Sequence, residues 1–221
     1  MKKLIQGIIE FRQNVRPDYR DKFARLALGQ APDTLFIACS DSRVVPNLFA
    51  SADPGDLFVV RNVGNLVPPA GSDGRSWNDG SEAAAIEYAL SKLQVTDIII
   101  CGHSECGAMQ ALLTGRDAVE PFHLRSWLRH GGEALEDFSR NHALDTSLAP
   151  HNQLSQLNVL RQIVHLKSYP LVRELVEAGQ LRLHGWWFEL KNADVYAYED
   201  DAGRFVLIDD QEAKRLLKRL A

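Results

Sequence analysis

Three short apolar runs constrain the fold of this chain more than any other feature. They are Thr34–Ala38, Leu57–Val60 and Asp97–Cys101, and none of them alternates apolar with polar residues. Continuous apolar runs are typical of parallel strands that are buried on both faces. Segments at Ser81–Leu93 and Leu154–Leu166 have the apolar spacing of helices. The alternation of strands and helices therefore predicts an α/β fold with a mostly parallel central sheet.

The remaining strands are expected after residue 180. Leu181–Leu190 predicts a fourth strand, and the runs Asp194–Tyr198 and Arg204–Ile208 predict a hairpin-like ending. We expect the sheet order 2-1-3-4 with an antiparallel edge strand, and helices on the faces of the sheet. The stretches 62–80 and 115–155 are rich in Gly, Pro, Asn and Asp and are expected to carry long loops, with helix as well in the second.

The first 29 residues carry no strand signal and predict a helical arm. Their apolar residues recur at helical spacing: Leu4, Ile8, Phe11 and Val15. Such an arm packs either on another subunit or on its own domain, and the sequence leaves both open. We expect a single domain over residues 1–221, with residues 1–29 as the arm and residues 30–221 as the α/β core.

Composition excludes several classes of protein. The 221 residues include 25 Lys and Arg against 29 Asp and Glu, a net charge of −4, and 45% are hydrophobic. There is no basic surplus for binding nucleic acid and no deficit of apolar residues that would indicate disorder. No apolar run approaches the ~20 residues of a membrane-spanning helix. The three cysteines do not form a disulfide framework, which favours a reducing compartment, and we expect the cytoplasm.

The residues suited to chemistry follow the first and third strands. Cys39-Ser-Asp-Ser-Arg43 comes after the first, and His103-Ser-Glu-Cys106 after the third. In an open α/β sheet, ligands bind at the carboxyl ends of strands where the strand order reverses, and the order 2-1-3 brings these two ends together. Two thiolates and one imidazole suit zinc, and three protein ligands leave a fourth position open, as in catalytic sites.

Other interpretations of these residues remain open. Cys101 is expected to be a buried core residue rather than a ligand. Asp41 could close the zinc as a fourth ligand, either in a structural site or as a switch, or it could pair with Arg43 and leave the metal open. Zinc with two thiolates and a neutral histidine has no net formal charge. We therefore expect the hydroxide form of a zinc-bound water to need mildly alkaline pH or help from Arg43.

The sequence resembles the β-class carbonic anhydrases over residues 30–210. Both motifs above match the zinc motifs of that family, and three further segments are similar to its flanking segments: Phe58-Val-Val-Arg-Asn62, Ala85-Ile-Glu-Tyr88 and Leu183-His-Gly-Trp186. The resemblance implies reversible hydration of carbon dioxide to bicarbonate and a proton, by attack of zinc-bound hydroxide. It implies one zinc ion on Cys39, His103 and Cys106, with Asp41 and Arg43 as a catalytic dyad.

The resemblance also implies a branch and a substrate pocket. Gln30, Phe58 and Tyr88 stand where the plant-like branch has its pocket residues, and Val44 and Gly107 are expected to complete the pocket. Phe36 stands where the allosteric branch has a Trp, which favours the constitutively open, non-allosteric subtype. The loop Gly71–Gly80 is expected to be longer than in plant-like members.

The family further implies homodimers with pockets at the subunit interface, or higher assemblies such as tetramers or octamers. That agrees with the predicted arm. Two other functions remain as alternatives: hydrolysis of carbon disulfide or carbonyl sulfide on the same scaffold, and a non-catalytic zinc-stabilised binding module.

Overall fold

Six strands form one sheet in the order β2-β1-β3-β4-β5-β6. The computed structural model describes residues 1–76, 79–140, 142 and 144–220. Its strands are β1 Thr34–Cys39, β2 Leu57–Asn62, β3 Asp97–His103, β4 Arg182–Glu189, β5 Asp194–Glu199 and β6 Arg204–Leu207. The first four strands pair in parallel, and β5 and β6 add an antiparallel edge. The predicted fold class, strand order and antiparallel ending are confirmed.

Ten α-helices are assigned within the described residues. They are α1 Lys2–Glu10, α2 Arg16–Leu26, α3 Pro46–Phe49, α4 Gly80–Tyr88, α5 Gly107–Thr114, α6 Phe122–Trp127, α7 Gly132–Ser139, α8 Pro150–Ser168, α9 Pro170–Glu177 and α10 Asp210–Leu220. π-helical turns at Phe11–Val15 and Ala89–Leu93 extend α1 and α4, and 3₁₀ turns lie at Arg116–Ala118 and Leu128–Gly131. None of the helices described is long and apolar enough to cross a membrane.

The stretch 115–155, expected to combine loops with helix, is helical over much of its length. Helices α6 and α7 and the first turn of α8 lie within it. These helices are short, so the apolar period spans too few turns to be recognised in the sequence. Their stability comes from packing, because Leu128, Ala134 and Leu154 are fully buried in one cluster around α5.

Both faces of the parallel sheet are buried. On one face, side chains of β1 and β3 pack with apolar residues of α4, α8 and α9. On the other face, Phe36, Ile99 and Cys101 pack with Phe49 and Phe188. Cys101 is fully buried, as expected for a core residue, and burial raises the pKa of its thiol. This double burial explains why the strands show no alternation.

The N-terminal helices have little core of their own. No residue of α1 or α2 is buried, and the apolar side chains of α1 lie in solvent: Leu4, Ile5, Ile8 and Ile9. Tyr19 and Lys22 of α2 both bind the Asp53 carboxylate, which ties the arm to the loop before β2. The predicted arm is thus helical, with an exposed apolar face.

Two sequence predictions fall partly on residues outside the described part of the chain. These are residues 77 and 78 in the loop Gly71–Gly80, and residues 141, 143 and 221 in the predicted single domain. In the described part of that loop, the amide of Gly71 donates to the carbonyl of Arg75, and the amide of Gly74 donates to that of Gly71. The extra length of this loop and the domain limits stay predictions.

We expect Gly102→Ala to destabilise the protein by about 1–3 kcal/mol, because overpacking in a dense core costs that much. A Cβ at Gly102 of β3 would lie 2.7 Å from Val159 Cγ2 and 3.2 Å from Ser155 Oγ, both on α8. Urea unfolding measures the change. Gly132→Ala is the matched control, because a Cβ there meets nothing within 4 Å. Equal stability of the two variants would contradict the packing account.

Candidate active site

Three side chains that could hold a metal ion converge at the carboxyl edge of the sheet, and we call Cys39, His103 and Cys106 the metal-binding group. Cys39 is the last residue of β1, His103 is the last of β3, and Cys106 immediately precedes α5. Their donor atoms all lie within 4.8 Å of one another, and all three residues are buried. The pairing register of β1 with β3 explains why these side chains lie close together. Ala38 lies opposite Cys101, so the two parallel strands end side by side.

The donor set fits zinc. His103 Nδ1 lies 2.8 Å from the carbonyl oxygen of Ser104, which only accepts, so Nδ1 carries the proton and Nε2 has a free lone pair. That Nε2 is buried and has no hydrogen-bond partner among the described residues. A buried polar atom without a partner costs about 1–3 kcal/mol, which metal coordination removes. Two sulfurs and one nitrogen at tetrahedral zinc lie roughly 3.5 Å apart, within the observed spacing.

The Cys39 and Cys106 sulfurs lie close together, and each shifts the pKa of the other. A hydrogen bond from Cys106 lowers the pKa of Cys39 to about 4, and burial only partly opposes that shift. The same hydrogen bond, together with burial, raises the pKa of Cys106. Metal binding requires thiolates, so it releases protons from this pair.

Asp41 and Arg43 form a bidentate ion pair beside the metal-binding group. Arg43 Nε donates to Asp41 Oδ1 at 2.9 Å, and Nη2 donates to Oδ2 at 2.8 Å. These hydrogen bonds hold the pKa of Asp41 well below its usual range. Arg43 Nη2 also donates to the carbonyl of Glu105 at 3.1 Å, which links the pair to the loop carrying Cys106. Both carboxylate oxygens are therefore occupied by Arg43.

Polar side chains from elsewhere fix the backbone of the site, and the sequence prediction gave them no role. Arg61 of β2 donates to the carbonyl of Cys39 at 3.0 Å and to that of Asp41 at 2.6 Å. On α8, Ser155 Oγ donates to the carbonyl of His103 at 2.8 Å, and Asn152 Oδ1 accepts from the amide of Glu105. The three-residue spacing of Asn152 and Ser155 on α8 is the sequence signal that could have revealed these two residues.

The predicted pocket residues divide into two groups. Val44 is fully buried and donates its amide to the carbonyl of Asp41, and Gly107 follows Cys106 directly, so both are near the metal-binding group. Phe58 and Tyr88 contact each other, with ring centroids 5.7 Å apart. However, Phe58 lies opposite Leu35, four residues, or about 13 Å, before the end of β1.

Gln30 is also distant from the site within one chain. It precedes β1, at the amino edge of the sheet. The single chain thus does not bring Gln30, Phe58 and Tyr88 to the metal-binding group. Their role in the pocket remains a prediction that requires a second subunit.

Comparison with known proteins identifies the family. A family model described as carbonic anhydrase matches residues 34–195, which include all three metal-binding residues and both members of the ion pair. This chain belongs to the β-carbonic anhydrase family. The class follows from the solved structures it resembles, among them the β-carbonic anhydrase CcaA, with a TM-score of 0.85 and 38% identity over 94% of this chain and 98% of that chain.

Further relatives are similar to this chain over nearly its whole length. A carbonic anhydrase of Synechocystis is 40% identical over 212 residues, covering 93% of this chain and 74% of that protein. One of Pseudomonas aeruginosa is 37% identical, covering 97% and 95%. A tetrameric β-carbonic anhydrase of Sordaria macrospora superposes with a TM-score of 0.69 and 30% identity, over 94% of this chain and 93% of that one.

The protein is therefore a zinc enzyme that catalyses the reversible hydration of carbon dioxide to bicarbonate and a proton. The resemblance to β-class carbonic anhydrases is confirmed. The two alternatives, a hydrolase of carbon disulfide or carbonyl sulfide and a non-catalytic zinc module, have no support among these relatives.

We expect Cys39→Ser and Cys106→Ser each to lose zinc, because a neutral alcohol is a poor ligand compared with a thiolate. Elemental analysis of the purified variants measures the zinc content per chain. Cys101→Ala is the matched control and should keep one zinc, since its thiol is in the core and outside the metal-binding group. Full zinc occupancy in either ligand variant would contradict the assignment.

Proposed function

We propose that Cys39, His103 and Cys106 hold the zinc ion and that Asp41 and Arg43 form the catalytic dyad. The single observation that carries this assignment is the convergence of three buried donor atoms within 4.8 Å, beside a bidentate ion pair. Bound zinc supplies Lewis acidity, which activates water for attack on carbon dioxide.

The Asp41–Arg43 pair acts in the reaction through the carboxylate of Asp41. Arg43 fixes the plane of the Asp41 carboxylate with two side-chain hydrogen bonds and a third from its own amide at 3.0 Å. Because Arg43 keeps this carboxylate ionised, it can accept a hydrogen bond from the attacking water and orient it. The fully buried Val44 supplies an apolar contact that suits an uncharged substrate.

We propose the constitutively open, plant-like subtype. The Asp41–Arg43 pair supports it, since Asp41 must leave Arg43 before it can become a zinc ligand. Phe36 also supports it. This residue is fully buried, and its ring packs against Phe49 and Trp186 with centroids 6.1 and 5.9 Å away, so it offers no polar group to an effector.

Asp41→Ala should keep the zinc but lower kcat/KM by about 100-fold, the lower range for loss of an acid–base group. Stopped-flow hydration with a pH indicator at pH ~8.5 measures the loss, because the neutral metal site favours alkaline conditions. Asp117→Ala, on the turn after α5, is the control and should match wild type. The dyad would be wrong if Asp41→Ala turned over carbon dioxide like wild type.

We further propose a homodimer as the smallest active unit, with tetramers or octamers as higher assemblies. The exposed apolar face of α1 supports a subunit contact, since side chains such as Ile5 and Ile8 are more than half exposed. The distance of Gln30, Phe58 and Tyr88 from the metal-binding group also supports it, because a partner could bring these residues into each pocket. The tetrameric Sordaria relative agrees with an oligomer.

Ile5→Glu with Ile8→Glu should weaken this assembly, because charges on an apolar contact must be desolvated. Light scattering after size-exclusion chromatography should show a smaller species with lower hydration activity than wild type. Gln6→Glu is the matched control on the same exposed helix and should keep the wild-type assembly. An unchanged mass for the double variant would exclude the arm from the interface.

We also propose a cytoplasmic location and one functional unit, with residues 1–29 as its arm and residues 30–221 as its core. The two ligand cysteines must stay reduced, which supports a reducing compartment. The net charge of −4 supports the absence of a nucleic-acid partner, and no membrane partner is proposed. Cell fractionation followed by immunodetection tests the location.

A further inference from the structure

The sulfur of Cys39 accepts a hydrogen bond from a distant part of the chain. The backbone N–H of Gly64, in the loop after β2, donates to Cys39 Sγ at 3.4 Å. Both residues are buried. A donor to a metal-binding thiolate draws negative charge away from the sulfur, so such contacts tune the metal that the sulfur binds.

The other end of the same peptide unit is also held. The indole Nε1–H of Trp127, the last residue of α6, donates to the carbonyl oxygen of Val63 at 2.7 Å. The peptide between Val63 and Gly64 is trans, so its C=O and N–H point in opposite directions. Trp127 therefore lies on one side of this peptide and Cys39 on the other, and hydrogen bonds in such a chain strengthen each other.

Packing leaves little freedom to this peptide. Gly64 has φ +84, and a Cβ there would lie 2.9 Å from the Cβ of Ala108, on the helix that follows Cys106. Asn158 Nδ2 of α8 donates to the carbonyl of Gly64 at 3.1 Å. The loop thus passes so close to α5 that only glycine fits, and its orientation is fixed from two helices.

The ring of Trp127 is itself oriented by its neighbours. It meets the His130 ring edge to face, with centroids 5.3 Å apart, and His130 Nε2 lies 2.9 Å from a carboxylate oxygen of Asp79. Trp127 is half-buried, and its N–H has a single acceptor at short distance. Val63 is exposed, so the contact lies near the surface, and the His130 ring and the Val63 carbonyl together orient the Trp127 ring.

We propose that Trp127 is a positioning residue of the zinc site: through the Val63–Gly64 peptide it orients and polarises the N–H that donates to the Cys39 sulfur. Less negative charge on the sulfur makes the bound metal a stronger Lewis acid. This inference rests on the zinc-dependent function proposed above. The hydrogen bonds described for Trp127 include none to the metal-binding group or to the Asp41–Arg43 pair, so its effect is exerted through the peptide.

The test replaces Trp127 by Phe, which keeps an aromatic ring and removes the N–H. In the cobalt-substituted protein, the sulfur-to-cobalt charge-transfer band should move to longer wavelength, because a sulfur that accepts from a less polarised Gly64 N–H is oxidised more easily. In the zinc enzyme, the pKa that governs the acid side of the kcat/KM profile should rise by about half a unit. This corresponds to a roughly threefold loss of kcat/KM at neutral pH. Activity at high pH should stay near wild type.

Trp186→Phe is the matched control. Trp186 of β4 packs among apolar residues on the face of the sheet that carries Phe36. The hydrogen bonds described for the chain include none from its indole. Its cobalt band and pH profile should coincide with those of wild type. If Trp127→Phe does not fold, incorporation of benzothienylalanine at residue 127 removes the same N–H with almost no change in shape.

A Trp127 variant with native circular dichroism whose cobalt band or pH profile coincides with that of wild type would overturn the proposal. The cobalt band is measured without turnover. Failure of the hydration function would therefore appear as an inactive wild-type enzyme, while failure of this inference would appear as an unmoved band. The two failures are distinguishable.

Discussion

The parallel pairing of β1 with β3 is the interaction on which the rest of the structure depends. It brings Cys39 and His103 to one edge of the sheet, and the turn after His103 returns Cys106 to the same place. Both strands are buried on both faces, so their register is fixed by packing on two sides. A shift of one residue would turn Cys39 to the opposite face and separate the ligands.

A second constraint is the burial of a polar site in an apolar fold. The ligands are almost inaccessible to solvent, so every backbone group around them needs a partner within the protein. Helix α8 supplies several of them. Asn152, Ser155 and Asn158 follow one another at three-residue spacing and bind backbone groups of Glu105, His103 and Gly64, in that order. The longest helix of the core thus holds the active-site loops, and its polar residues are structural in that sense.

The sequence was sufficient for the sheet and for the metal-binding set. Continuous apolar runs predict buried parallel strands, and the two motifs predict the meeting of Cys39, His103 and Cys106 because topology alone brings strand ends together. Helices α6 and α7 were not predicted, since they are too short for a periodic pattern. The Trp127 contact was not predictable either, because its indole binds a backbone carbonyl 64 positions away, and that acceptor is the same for every residue type. Backbone contacts leave no trace in residue types.

We expect zinc to have two sulfur ligands and one imidazole ligand, with the fourth position open because Arg43 retains Asp41. X-ray absorption at the zinc edge, on wild type and on Asp41→Asn at pH ~8, where the site is active, tests it most directly. We predict two sulfur, one imidazole nitrogen and one oxygen scatterer in both proteins, with the oxygen exchangeable for added anions. A first shell that changes in Asp41→Asn, or an oxygen that no anion displaces, would mean that Asp41 closes the metal and would contradict the account.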